Sequence, residues 1–360
     1  MSGTSLDGID VALIETDGED LVRRGPSRTY PYNERRQAVL RRALVDAKTI
    51  SERQSHPGTL VEAQRLLTQW HAEAVHGFVA ETGVSLDRID VIGFHGQTVI
   101  HRPEMRLTVQ LGDGPALAWS LGRPVVYDLR AADVAAGGQG APLVPVYHRA
   151  LAAGLKERPV AFVNIGGVAN VTWIGEAGRL VAFDTGPGNA LLNDWFQRHV
   201  GEAMDRDGAL ASKGGLDRNA FLTLSQNSYF ERPAPKSLDR NGFDVSCLEG
   251  LNAADGAATL THFTAASIAR APAWMPQRPK LWVICGGGRR NPTLMNVLRS
   301  LLEPLGEKVM LAEGLGFDGD AIEAEAWAYL AVRSLAGLPI TFPETTGAPE
   351  PLSAGVLARP

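Results

Sequence analysis

Asp184 follows the apolar run Leu180-Val-Ala-Phe183 and precedes Thr-Gly-Pro-Gly-Asn189. A carboxylate where a strand gives way to a helix N-terminus is placed to act as a general base. The helix dipole there favours its ionised form. An aspartate in that place also caps helices, although Thr185 or Asn189 can supply the cap instead. Three glycine-rich bends accompany it. Residues Gly3, Thr4, Ser5, Leu6, Asp7 and Gly8 place two glycines and two hydroxyls in one turn, which can aim backbone N–H groups at a phosphate. Asp7 can hold Mg²⁺ directly or through water; the alternative is an ordinary hairpin turn. Gly166 and Gly167 allow a polyphosphate close to the backbone in the same way. Gly286, Gly287 and Gly288 end an apolar strand, and a flat adenine or ribose against bare backbone accounts for three consecutive glycines. No Gly-Lys-Ser/Thr follows at Walker A spacing.

Further polar clusters stand at strand ends. His95 follows Val91–Phe94 and Arg130 follows Pro124–Tyr127; both suit a sugar and its carboxylate, for which a guanidinium gives bidentate contact. Each is equally well read as a satisfied structural residue. Glu323 lies one turn into a helix behind Asp318 and Asp320, where acidic residues also favour the dipole. No Cys/His cluster of zinc-site spacing and no Gly-x-Ser-x-Gly elbow occurs.

The elements that must position these groups are legible from pattern. Apolar runs feeding glycine turns recur at 1–16, 160–174, 180–189, 281–288 and 316–320, and two strand–turn–strand units each open a mixed α/β segment. That order predicts two similar α/β domains facing a cleft, with Gly137–Pro142 as a hinge or a surface loop between them. Asn291-Pro292 predicts a helix through Leu302, with Asn at the N-cap and Pro in the first turn. Helices are also expected over 37–48, 60–82 and 320–336, the last stopped by Gly337. The tail 339–360 reads as loop with one short strand at most.

Composition narrows the function classes. The 360 residues are 44% hydrophobic and 21% charged, ordinary for a globular chain of about two domains. A net charge of -5 gives no basic footprint for nucleic acid or anionic membranes. Two cysteines, Cys247 and Cys285, cannot make a secreted disulfide framework. No apolar stretch of about 18 residues and no signal pattern is visible, so a cytoplasmic protein is expected.

Taken together in order, the motifs resemble those of the anhydro-N-acetylmuramic acid kinases. They are Met1-Ser-Gly-Thr-Ser-Leu-Asp-Gly-Ile-Asp10, His95-Gly-Gln-Thr98, Gln110-Leu-Gly-Asp113, the run Asp133–Pro145, Asn164–Thr172, Phe183–Asn189, Cys285–Asn291 and Asp320–Ala324. The resemblance spans nearly the whole chain. It implies two actin-like (ribonuclease H-like) domains, each a mixed central sheet flanked by helices, with ATP in the interdomain cleft. The domains are expected at 1–135 and 136–337, with the tail 338–360 able to rejoin the first. It implies that Asp184 deprotonates a water attacking the anomeric carbon of 1,6-anhydro-N-acetylmuramic acid while O6 takes the γ-phosphate, giving N-acetylmuramic acid 6-phosphate in peptidoglycan recycling.

By the same resemblance, Gly3, Thr4, Ser5, Leu6, Asp7, Gly8, Ile9 and Asp10 form the first phosphate loop and Gly166 and Gly167 the second. Gly286, Gly287 and Gly288 lie at the adenosine, Arg130 and Glu323 at the sugar, and the protein is a homodimer. A strand normally precedes the Met-Ser-Gly-Thr-Ser motif in this family and would lie centrally in the first sheet. With Met1 opening the sequence, the neighbouring strands are expected to lack a partner there. A conventional sugar kinase that deprotonates an existing 6-hydroxyl, and a nucleotide-binding sensor without catalysis, are the competing readings.

Overall fold

The computed structural model describes residues 1–3, 5–238 and 242–360. The chain forms two compact units, Met1–Ala153 with Ala321–Pro360, and Gly154–Asp320. These divide at 153/154 and 320/321, where the sequence pattern suggests 135/136 and 337/338. The segment Gly137–Pro142 therefore lies inside the first unit, tied there by Gln139 N–H to Thr346 O and Gly140 N–H to Asp133 Oδ1.

In the first unit β1 (Gly8–Thr16) and β2 (Val22–Pro31) form an antiparallel pair. β3 (Ile92–Gly93) runs parallel to β6 (Val125–Tyr127), which also carries the last strand, β12 (Val356–Ala358). β4 (Gln97–Arg102) and β5 (Leu107–Leu111) make a separate hairpin. The helices are α1 (Glu34–Asp46), α2 (Leu60–Thr82), α3 (Gly114–Leu121), α4 (Ala131–Ala136) and α5 (Pro145–Ala152). After the second unit come α10 (Ile322–Leu335) and α11 (Pro343–Thr346).

α2 follows from its spacing. Leu60, Ala63, Leu67, Trp70, Ala74 and Phe78 form one buried stripe, and Gly83 ends the helix in the left-handed region at φ 70°. Gly93 is required because α10 crosses so close that a Cβ there would collide with the Trp327 carbonyl. β1 and β3 are not paired with each other. Residues of both line a cavity of about 600 Å³, which α2 covers with His71, Val75 and Phe78 and α10 with Ala324, Ala328 and Val332.

The second unit is built on one sheet in the order β11–β10–β7–β8–β9. β7 (Val160–Ile165), β8 (Val168–Ile174) and β9 (Leu180–Pro187) form an antiparallel meander, and β10 (Leu281–Cys285) and β11 (Lys308–Leu311) add parallel strands. β7 and β10 are apolar on both faces, as strands covered on both sides must be, and Phe162 and Trp282 are fully buried. The remaining helices are α6 (Ala190–Val200), α7 (Arg218–Ser225), α8 (Ala253–Ala269) and α9 (Pro292–Leu302). Ile268 of α8 and Leu294 and Leu298 of α9 pack on the sheet. The side chain of Asn291 accepts the Leu294 N–H, so the predicted cap of α9 forms as read.

Candidate active site

Asp184 sits within β9 and not at its end. Asn170 pairs with Asp184 and Ala169 with Gly186, so the ladder slips by one residue at Thr185 and the strand continues to Pro187. The helix behind it begins only at Ala190. Neither proposed substitute caps that helix: Thr185 Oγ1 donates to Ala169 O, and Asn189 Nδ2 donates to Ile165 O. The helix dipole expected to keep Asp184 ionised starts six residues away; burial instead pushes its carboxyl up to about 7 against the opposing pull of the Leu238 N–H. Leu238 N lies 2.8 Å from Oδ2, and among the described residues none donates to Oδ1. A carboxyl tuned to neutrality with one oxygen so placed has the properties of a general base.

The glycine bends of the second unit gather round this segment. Asn189 N–H donates to Gly166 O at 2.7 Å and Ala190 N–H to Gly167 O at 3.1 Å, joining the β7–β8 turn to the start of α6. A Cβ on Gly166 or Gly167 would meet only ordinary contacts, the nearest at 3.4 and 3.8 Å, so packing does not demand glycine there. The triple glycine divides differently. Gly286 has φ 74° and its Cβ would lie 2.8 Å from Ile165 N, and Gly288 would press its Cβ to 2.7 Å from Ile165 Cβ. Both are explained by close approach of β10 to the β7–β8 turn. Gly287 alone faces open space within 4 Å. Arg289 secures the bend, donating to Gly286 O and pairing with Glu313 and Asp320 from a buried position.

In the first unit the turn before β1 carries Gly3, Ser5, Leu6 and Asp7, Gly8 opens the strand, and Thr4 lies outside the described residues. Leu6 holds φ 57°, a strained value for a branched side chain, and is buried in the core behind the turn. Met1 and Asp10 exchange backbone hydrogen bonds, and Asp10 Oδ1 accepts from Thr29 at 2.6 Å, which turns that carboxylate toward β2. Ile9 is buried. Asp7 is exposed; its carboxylate accepts from Ser5 Oγ at 2.8 Å and its carbonyl from Tyr32 N–H at 2.8 Å. Among the described residues no group of three His, Cys, Asp or Glu side chains is arranged for a metal ion. A lone exposed carboxylate suits Mg²⁺ that is held mostly by phosphate oxygens and water.

His95, Arg130 and Glu323 come together in this unit. His95 Nδ1 lies 3.0 Å from Ser2 O, an acceptor only, so Nδ1 carries the proton and Nε2 accepts from Arg130 Nη2 at 3.4 Å. Burial, and then the Arg130 charge, hold His95 well below its usual pKa, so it stays neutral. Arg130 lies 5.3 Å over the Trp327 ring. Burial lowers its guanidinium to about 10 against the carboxylates of Glu323 and Asp133. Its Nε is buried with no partner among the described residues. The cluster is equipped for an anionic, planar group.

The sequence reading missed Trp327 and the strap Tyr229–Leu238. Tyr229 Oη donates to Asp184 O at 2.5 Å and Asp184 N–H to Lys236 O at 3.0 Å, so the strap meets Asp184 at main chain and side chain. A basic residue inside the proline-broken run Pro233-Ala-Pro-Lys236 was the available signal.

Bare-backbone bends beside a carboxyl tuned to neutrality are the equipment of a phosphotransferase, here on an α/β fold. The chain belongs to the anhydro-N-acetylmuramic acid kinase family, whose model matches residues 1–359. It is 51% identical to the anhydro-N-acetylmuramic acid kinase of Agrobacterium fabrum, covering 100% of this chain and 97% of that protein. It is 53% identical to that of Bradyrhizobium diazoefficiens, covering 100% and 98%. Among solved structures, the activator of the 2-hydroxyisocaproyl-CoA dehydratase from Clostridium difficile with bound ADPNP matches at TM-score 0.44 and 13% identity, over 93% of each chain. A ROK family glucokinase from Streptomyces griseus in complex with glucose and AMPPNP matches at 0.40 and 12%, over 91% and 97%. Among the described residues no helix is long and apolar enough to cross a membrane.

Proposed function

We propose that the protein opens 1,6-anhydro-N-acetylmuramic acid with water and phosphorylates O6 from ATP, yielding N-acetylmuramic acid 6-phosphate and ADP. The observation that carries the reading is the Asp184 carboxyl, tuned to about 7 by burial and held at Oδ2. At neutral pH its ionised form accepts a proton from water, whose oxygen bonds to the anomeric carbon as the C1–O6 bond breaks. O6 then bonds the γ-phosphorus as ADP leaves, so the bridge oxygen departs onto phosphorus without needing a proton.

Phosphoryl transfer of this loose kind asks chiefly for positioning and charge neutralisation. The family membership supports giving the turn residues Gly3 to Asp10, with Gly166 and Gly167, to the phosphates. Gly287, with Gly286 and Gly288 shaping the bend, goes to the adenosine. Arg130, neutral His95 and Glu323 form the sugar subsite, the guanidinium taking the lactyl carboxylate. Mg²⁺ at Asp7 would neutralise charge on the phosphates. A cytoplasmic homodimer acting in peptidoglycan recycling completes the reading. The test is ADP release in a coupled assay with the anhydro-sugar: sugar-dependent release is expected, and its loss by at least 1,000-fold in Asp184→Asn with ATP binding retained. ATP binding without sugar-dependent release would leave a nucleotide sensor.

A further inference from the structure

We propose that Lys236 is a positioning residue for Asp184, its buried ammonium clasping the strap that holds the base. The proposal rests on the assignment of Asp184 as base and adds a device that serves it. Lys236 is 5% exposed, unusual for a lysine, and no carboxylate partner faces it among the described residues. Its Nζ donates to Tyr229 O at 3.1 Å and stands 4.7 Å from the Tyr229 ring, 5.0 Å from Trp274 and 6.0 Å from Phe183. An ammonium taken out of water is costly unless it is bonded and faced by aromatic rings, as here. A Met or Leu would fill the same space without that cost.

What the ammonium adds is closure. Tyr229 and Lys236 are the strap residues that bond the Asp184 main chain, through the Tyr229 hydroxyl at 2.5 Å and the Lys236 carbonyl at 3.0 Å. The Nζ–Tyr229 O bond links one to the other, so the two grips cannot part independently. Two residues further on, the Leu238 N–H meets Oδ2. Phe183, immediately before Asp184, is itself one of the three rings. Loosening the clasp frees the Leu238 N–H and the carboxylate together, and a misplacement of about 1 Å can cost about 100-fold in rate. Among the described residues the charged group near the ammonium is Arg232, whose guanidinium lies 5.6 Å over the same tyrosine ring; burial first, and then the Arg232 charge, lower the lysine pKa to about 8.

The experiment compares Lys236→Met and Tyr229→Phe with the parent, by steady-state kinetics across pH and by ¹³C NMR titration of the Asp184 carboxyl. Lys236→Met is expected to lose roughly 30- to 300-fold in kcat with the KM for ATP within about threefold. Its carboxyl titration should move to higher pH, because the Leu238 N–H no longer favours the charged form. Tyr229→Phe, which removes one grip and keeps the ring, should move the same titration the same way if Lys236→Met fails to fold. An Asp184 titration unmoved in the folded variants, or kcat within threefold of the parent in Lys236→Met, would overturn the proposal. Because the NMR readout does not depend on turnover, an active Asp184→Asn would defeat the base assignment and leave the clasp standing or falling on its own result.

Discussion

Replacing Asp184 by Asn should make the protein inactive and more stable, with the gain set by pH. Burial raises the carboxyl from 3.8 to about 7 in the fold. Below about pH 4 it is protonated in both folded and unfolded states and contributes nothing. Between about 4 and 7 the unfolded chain releases a proton that the fold retains, so stability falls by about 1.4 kcal/mol per pH unit. Above 7 the penalty is complete, about 4 kcal/mol from roughly three units, and about 2 kcal/mol if partial hydration relieves half of it. Asparagine keeps an acceptor for the Leu238 N–H and has no charge to desolvate. Urea denaturation of both proteins at pH 5, 6, 7 and 8.5 should therefore show Asp184→Asn gaining on the parent from pH 5 upward, then levelling off. Subtracting the parent cancels every other titrating group. A difference that stays flat across this range would refute the claim that a buried charge is maintained at 184 for function.

Four shorter predictions concern other parts of the molecule. Arg130→Met should raise the KM for the anhydro-sugar about 10- to 100-fold with the KM for ATP little changed, since a charge-assisted bidentate contact is lost; an equal rise in both would remove Arg130 from the sugar subsite. Gly286→Ala should destabilise by about 1–3 kcal/mol because φ 74° and the approach to Ile165 both exclude a side chain. Gly287→Ala, facing open space, should leave the melting temperature nearly unchanged while weakening ATP binding, and unaltered ATP binding would remove the bend from the nucleotide site. Ala328→Leu should gain about 1 kcal/mol by placing three more carbons in the cavity beside β1 and β3; a lower melting temperature would show that the space is already filled.

Local signals carried well into the structure. The stripe and terminal glycine of α2, the Asn291-Pro292 cap of α9 and the apolar run of β10 all depend on neighbours within a turn or two, and each forms with the bounds its pattern suggests. β9 runs beyond the expected Leu180–Phe183: Asp-Thr-Gly-Pro reads locally as a turn, whereas Val168 and Ala169 extend the ladder across a bulge to Gly186 and Pro187. The strap was invisible for a related reason: Tyr229 and Leu238 reach Asp184 over 45 and 54 residues, and nothing periodic marks such a contact. Gly286 and Gly288 serve the approach to Ile165, a constraint that only the folded neighbour reveals, and Gly287 faces open space. The pKa of Asp184 could not be read from its helix, because burial in the folded unit decides it and the Leu238 N–H from the strap opposes it.

The most direct test of the central claim is the fate of the water oxygen. With purified protein, ATP and the anhydro-sugar in ¹⁸O-water, the account predicts one ¹⁸O at C1 of the 6-phosphate at first turnover, faster than anomeric exchange, and none in the phosphoryl group. Label at C1 arriving only at the exchange rate would mean that water does not open the ring, and Asp184 would then be serving some other proton.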